Sequence, residues 1–446
     1  MSGTNHRMVK LPVTIKKLWR LTIAHVRNPM SPWQTGLLVF ITALAYAYRG
    51  SSYLANPQMY AEDGVLWLAQ GHNKNVFALL QPVNGFLHFP ERLFGFIVAH
   101  LPLQFAPAIF VVTAWILFIF TAYYLLSSRT RIFNNNFERL FVVGALALIS
   151  NVEILFFNFS NSVFLMGIIA AMIITAKKSR HRAIRIAEKV FFLLSCLTLP
   201  FAWFFLPITL FERFKYKQKD SFFLYASAFG SIVQVIYYIT SHVNRSPVTL
   251  ISLVSKYTLL ELYNQIIIPG LRFARIDMPL DQYTHHYYPV VTVFLTVLAL
   301  LFATIVVVKK TNKQTRYILF FLAGMTFASF KSPSLNAKLP VNAIIAMSYV
   351  TGAGRYFIYG VIGFNIISAK AAYEILAPRV RYAFLLIFFA FGLLTSLHYG
   401  SFYIQKNFTD YSSQYRAGIS KFELSQTKSV NIPVNPYPWN MTLVKH

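Results

Sequence analysis

Apolar runs of about 17 to 25 residues recur along the whole chain, the length a helix needs to cross a hydrocarbon layer about 30 Å thick. Short clusters of lysine and arginine separate them: Lys16-Lys17 with Arg20 and Arg27, Lys177-Lys178 with Arg180, Arg182 and Arg185, Arg213 with Lys215, Lys217 and Lys219, and Lys309-Lys310. Transmembrane strands would show alternating segments of about ten residues, which are not seen, so helices carry the spans. Of the 446 residues, 12% are charged, about half of what a soluble domain carries. The net charge of +27 is dispersed between apolar runs, as the positive-inside rule leaves it on cytoplasmic loops, and this argues against a nucleic-acid partner. Cys196 is the one cysteine, so there is neither a disulfide framework nor a thiol metal site.

The expected fold class is therefore an all-α integral membrane protein with about nine spans. Residues 1–32 form a basic cytoplasmic leader. Ala45-Tyr46-Ala47 resembles a signal cleavage motif, but the leader is too long for a cleavable signal, so the first span, Trp33 to Ala47, reads as an uncleaved anchor. A first outer loop over 50–104 follows, with an amphipathic piece from Phe86 to Leu103. Further spans are expected over Phe105–Leu126, Arg139–Ile154, Val163–Thr175, Ser221–Thr240, Val290–Val308, Arg316–Phe330, Arg355–Leu376 and Tyr382–His398. The run 190–211 contains Pro200 and Pro207 and has basic clusters on both flanks. One crossing would strand a cluster on the wrong face, so a re-entrant hairpin is expected there. A second large outer loop covers 242–288, the membrane domain covers 33–398, and residues 399–446 form an outer C-terminal tail.

Sorted by this topology, Glu62, Asp63, Glu91, Glu153, Glu261, Asp277 and Asp281 all fall on the outer side. Glu138, Glu188, Glu212 and Asp220 fall on the inner side beside basic residues, as solvated partners. Acid-base chemistry is thus expected on the outer face. The adjacent pair in MYAEDGVLWLAQG is the leading candidate: a carboxylate near the bilayer surface suits sugar transfer from a lipid-linked phosphate, acting as general base on the attacking hydroxyl. The competing reading is that Asp63 caps the helix beginning at Val65, with Gly64 allowing a close approach or a turn.

Other outer groups carry two readings each. Glu153, Asn158 and Asn161 lie at a span end, as functional groups or as helix-packing polar residues. Arg355-Tyr356 is a phosphate ligand or a snorkelling anchor. Arg92 is a phosphate ligand or the partner of Glu91, and Arg272 and Arg275 could hold phosphate or an anionic glycan. His285-His286 has no ligand-spaced partner for a metal.

The segments AEDGVLWLAQG, QPVNGFLHFPERL, SNVEILFFNFSNS, CLTLPFAWFFLPI, GRYF and VNIPVNPYPWNMTL, in that order, resemble bacterial polytopic glycosyltransferases of the GT-C architecture. The nine-span layout with a re-entrant segment after the fourth span resembles the Gtr-type enzymes that glucosylate O-antigen and convert serotype. That resemblance implies a polytopic GT-C-like helix bundle with helical outer loops in the bacterial inner membrane, and a periplasmic site. The donor would be undecaprenyl-phosphate-linked glucose and the acceptor an O-antigen sugar of lipopolysaccharide. It places the essential acid in the first outer loop, on Asp63 first and Glu62 second. Arg355 and Arg92 would hold the donor phosphate, and Glu153, Asn158, Asn161, Tyr356 and Trp439 the sugars. No cofactor is implied with certainty; a divalent cation assisting the phosphate stays open. The rival classes are an O-antigen polymerase or ligase, a flippase or transporter, and a structural membrane protein.

Overall fold

The computed structural model describes residues 30–148, 157–216, 220–241, 262, 266–267, 287–331, 357–378, 380–381, 383–390, 394, 409–424 and 428–445. The chain is mostly helical, and the expected spans are helical over their described residues apart from end positions such as Ser221 and Leu376. Glu153, Arg355, Tyr356, Arg272, Arg275, His285, His286, Glu261, Asp277 and Asp281 lie outside them, as do the leader to residue 29 and most of the 242–288 loop.

The elements in chain order are α1 (Pro32–Arg49), a π-helical segment (Asp63–Leu68) running into α2 (Ala69–Lys74), β1 (Pro82–Val83), β2 (Phe86–Leu87) and α3 (Phe89–Ala99). There follow α4 (Ala106–Leu126), α5 (Asn136–Leu148), α6 (Phe159–Thr175), α7 (Arg182–Cys196), α8 (Phe201–Lys215) and α9 (Phe222–Thr240). The chain continues with α10 (Tyr287–Lys310), α11 (Lys313–Lys331), α12 (Ile358–Ile375), α13 (Ser412–Leu424), β3 (Ser429–Pro433) and β4 (Asn440–Val444). Local chemistry sets several ends. Ser31 and Gln34 form a capping box with Pro32 in the first turn of α1. Asn158 caps α6 by accepting from the Asn161 amide.

The helices pack as a bundle in which α4 lies against α1 and α6, α5 against α12, α8 against α9, and α11 against α6 and α12. Among the described residues, two helices are long and apolar enough to cross a membrane, Leu103–Leu126 and Phe222–Thr240, and Phe159–Thr175 and Phe294–Lys309 are apolar but shorter. Several of these helices turn large apolar side chains outward. Phe229, Ile232, Ile236 and Ile239 are exposed along α9, as are Phe294, Leu298 and Phe302 along α10. Water would penalise such contiguous faces, and hydrocarbon would not.

The bundle has two chemically distinct ends. At one, Arg129 pairs with Glu188 at 2.7 Å, Lys313 with Glu212 at 3.1 Å, and Lys189 and Lys178 with Asp220. The expectation of solvated acids here is corrected for Glu188, which is buried and also accepts from the Tyr124 hydroxyl at 2.8 Å, and for Glu138, which is buried and paired with the buried Lys370 at 2.9 Å. Glu138 and Lys370 are 232 positions apart, so proximity in the chain could not reveal the pair. At the opposite end, the N-terminus of α6, the C-termini of α9 and α11, and the turn between α7 and α8 converge on a cavity.

The all-α expectation needs an amendment, because two short antiparallel pairs sit on the loops. In the first, Asn84 (φ 50°) and Gly85 (φ 79°) link β1 to β2. Asparagine followed by glycine suits a tight turn in which both residues need positive φ, and the amphipathic piece expected from Phe86 instead begins as a strand. In the second, Val430, Ile432, Met441 and Leu443 alternate inward on β3 and β4 against Tyr415, Ile419 and Phe422 of α13 or its surroundings. The tail is tied to the first loop. Asn435 donates from its amide to the Met59 carbonyl at 3.1 Å, and Asn73 exchanges hydrogen bonds with the β4 backbone at Thr442 and Val444.

Breaking the Glu138–Lys370 pair from one side strands a buried charge. Glu138→Ala or Lys370→Met alone is expected to cost about 3–5 kcal/mol, and the double variant Glu138→Leu/Lys370→Met less than either, measured as thermal unfolding in detergent.

Candidate active-site cavity

The cavity measures about 430 Å³ and takes its lining from five parts of the chain, one of them the end of α9 through Tyr238. The first loop contributes Glu62, Trp67, Asn84 and His88, the start of α6 contributes Ser160 and Asn161, the α7–α8 turn contributes Leu199 and Pro200, and the end of α11 contributes Ser329. Its walls are otherwise apolar, with Val163, Phe164, Trp203, Phe204, Met325 and Phe327. Leu199 has φ of 44°, which for a residue with a branched side chain stores about 1–3 kcal/mol of strain at the site.

The adjacent acids divide. Asp63 is buried, and its carboxylate accepts from the Phe159 amide at 3.0 Å, the Ser160 amide at 2.8 Å and the Ser160 hydroxyl. It therefore caps a helix, as one sequence reading had it, but the helix is α6, almost a hundred positions away, and not the one beginning at Val65. Burial pushes its carboxyl up to about 7 from an ordinary 3.8, against the lowering effect of the Ser160 donors, while Glu62 beside it adds to the rise and the Phe159 amide opposes it. Glu62 is half-buried and lines the cavity. The first-choice acid is thus engaged with a helix N-terminus, and its neighbour is the one placed against the open space.

The reason is the π-helical segment. In an α-helix each residue turns about 100°, so Glu62 and Trp67, five apart, would point about 140° apart. The wide turn over Asp63–Leu68 brings residues five apart toward one face, and both line the cavity. Gly64 is helical rather than a turn, and its role is close approach: a Cβ there would lie 3.1 Å from Val434 Cγ1 in the tail.

Arg92 is corrected as a phosphate ligand. It is buried, donates to the Leu66 carbonyl at 3.0 Å and to Gln70 Oε1 at 2.5 Å, and sits 5.1 Å from the Trp67 ring centre. Burial pushes its guanidinium down to about 10, with Glu91 opposing the fall. It braces the wide turn and does not line the cavity. Asn161 lines the cavity, whereas Asn158 is spent on the α6 cap. Trp439 is exposed in the tail turn beside Tyr437 and is not part of the lining. Sequence reasoning passed over His88 and Ser160. His88 follows the Asn-Gly turn and precedes Glu91 by one helical step, a spacing at which two side chains meet. Its Nδ1 lies 2.7 Å from Glu91 Oε1. Among the described residues no group of three or more histidine, cysteine or acidic side chains could hold a metal ion.

Fold and cavity together define a mostly helical protein with two helices able to span a membrane and an acid and a histidine facing one cavity. Compared with protein-family models, curated proteins and solved structures, the chain matches none.

Asp63→Ala leaves two α6 amides without acceptors and should lower stability by about 1–2 kcal/mol in thermal unfolding. The folded carboxyl keeps its proton to about pH 7, and the unfolded one releases it near 3.8. Its stabilisation is complete below the lower value and is lost as pH rises through the upper. The melting temperature should therefore fall between about pH 4 and 7, and Asp63→Asn should flatten that slope.

Proposed function

We propose that this protein is a membrane glycosyltransferase that moves a sugar, with glucose the first candidate, from undecaprenyl phosphate to O-antigen or lipopolysaccharide at the periplasmic face of the bacterial inner membrane. The observation that carries the reading is a carboxylate, Glu62, on the wall of a largely apolar cavity at the end of the bundle opposite the basic clusters. Under the positive-inside rule the basic end is cytoplasmic, so the cavity faces the periplasm. The nine-span arrangement, with the turn between α7 and α8 as the tip of a re-entrant hairpin, follows from the same rule. In support of that hairpin, α7 begins and α8 ends in basic residues, while the tip at Leu199-Pro200 reaches the cavity.

In this mechanism the acceptor hydroxyl gives its proton to Glu62 as its oxygen bonds to the anomeric carbon. The bond from that carbon to the phosphate oxygen breaks, its electrons leaving with the polyprenyl phosphate. Val163, Phe164, Phe204 and Met325 offer apolar surface to the first isoprene units, and Asn161 and Ser329 offer hydrogen bonds to sugar hydroxyls. Asp63 positions the base by fastening the wide turn to α6, and this assignment exchanges the ranking of the two acids.

The test is transfer from undecaprenyl-phosphate sugars to O-antigen by reconstituted protein. Glu62→Gln should lower turnover by at least about a hundredfold. Asp63→Asn should lower it less. Full turnover by Glu62→Gln would remove the proposed base. Orientation is checked independently. Cys196 is buried, so in a Cys196→Ser background a cysteine at position 84 should react with an impermeant maleimide added outside spheroplasts.

A further inference from the structure

We infer that His88 is a second catalytic residue of this cavity, the group that binds the donor phosphate through Nε2, with Glu91 as its positioning residue. The inference rests on the transferase reading. One chemical requirement leads to it. A leaving phosphate needs a cation or a strong donor, yet among the described residues that line the cavity there is no lysine or arginine. Of the two arginines expected to serve, Arg92 is committed to Leu66 and Gln70, and Arg355 is outside the described residues. His88 is the one lining residue among those described that can carry positive charge.

Its surroundings are built for that role. Glu91 has no exposed surface, and its Oε1 takes both the His88 Nδ1 contact at 2.7 Å and the Thr198 hydroxyl at 2.5 Å. An ionised carboxylate only accepts, so Nδ1 carries a hydrogen and Nε2 is the atom left for the cavity. Glu91 Oε2 has no hydrogen-bond partner among the described residues. Thr198 belongs to the α7–α8 turn, and the same turn accepts the Phe89 amide on its Leu197 carbonyl at 3.1 Å. The histidine is thereby fixed between the first loop and the hairpin tip, 5.6 Å from Trp67 ring to ring.

The step balances without another reactant. The acceptor proton passes to Glu62, the anomeric carbon exchanges phosphate oxygen for acceptor oxygen, and the charge left on the phosphate is met by the hydrogen bond from Nε2–H. The Nε2 hydrogen stays on His88 and bridges to the phosphate oxygen, so the one proton that moves is the one Glu62 takes.

The probe is undecaprenyl phosphate against undecaprenol, with binding to the purified protein followed by the fluorescence of Trp67 and Trp203, which line the cavity. The wild type should prefer the phosphate. His88→Gln should reduce that preference about tenfold or more with undecaprenol affinity unchanged, as expected for losing one charge-assisted hydrogen bond. Its turnover should fall about a hundredfold. A measurement that needs no variant runs in parallel: carbethoxylation of the His88 peptide, read by mass spectrometry, should be blocked by undecaprenyl phosphate and not by undecaprenol. Unchanged preference in His88→Gln, or modification that undecaprenyl phosphate does not slow, overturns the inference. Should the wild type transfer no sugar while the phosphate preference still depends on His88, the transferase reading falls and the phosphate site stands. Should Glu62→Gln abolish transfer while His88→Gln turns over normally, the converse holds.

Discussion

One carboxylate joins the two halves of this site. The first turn of α6 has amide hydrogens with no partner inside their own helix, and an apolar bundle offers no water to satisfy them. Asp63 supplies the acceptors for Phe159 and Ser160, and in doing so pins the first loop against the bundle. Ser160 extends the connection by receiving the Trp67 indole hydrogen at 2.6 Å, so both ends of the wide turn are fastened to one residue. Arg92 braces the turn from the other side, and the tail presses on it through Val434 at Gly64. The proposed base is therefore held both by wall residues, Trp67 and Ser160, and by Asp63, Arg92 and Val434 behind the wall.

The two ends of the bundle separate charges by function. At the basic end every acid discussed has a cation beside it, and these pairs orient the helices and close the bundle. At the cavity end the acids serve backbone amides, a histidine and open space. A transporter would place ionisable groups midway along its spans, and the buried Glu138–Lys370 pair instead sits near the first turn of α5 and the last turns of α12.

Much of this was readable from residues alone. The apolar runs and basic clusters located the helices, and the acids of the first loop pointed to the end of the bundle that holds the cavity. Two further signals lay in plain view: Asn84-Gly85 announces a hairpin, and Val430, Ile432, Met441 and Leu443 alternate as strands do. Other features could not be reached that way. Which of Glu62 and Asp63 meets the cavity depends on helix phase, and the phase is reset by a wide turn whose supports are Arg92, Ser160 and the distant tail. A carboxylate that caps a helix from almost a hundred positions away leaves no spacing to recognise. Nor did an adjacent Glu91 reveal that Arg92 would turn toward Leu66 and Gln70.

The wide turn makes the site sensitive to helix phase as well as to chemistry. If Asp63–Leu68 relaxed into ordinary helix with all its residues kept, Glu62 and Trp67 would point about 140° apart. Side-chain identities would survive such a change, yet the glutamate would swing away from the tryptophan with which it shares a wall. Loosening the supports of the turn would thus take the cavity wall apart while both side chains stayed in the sequence.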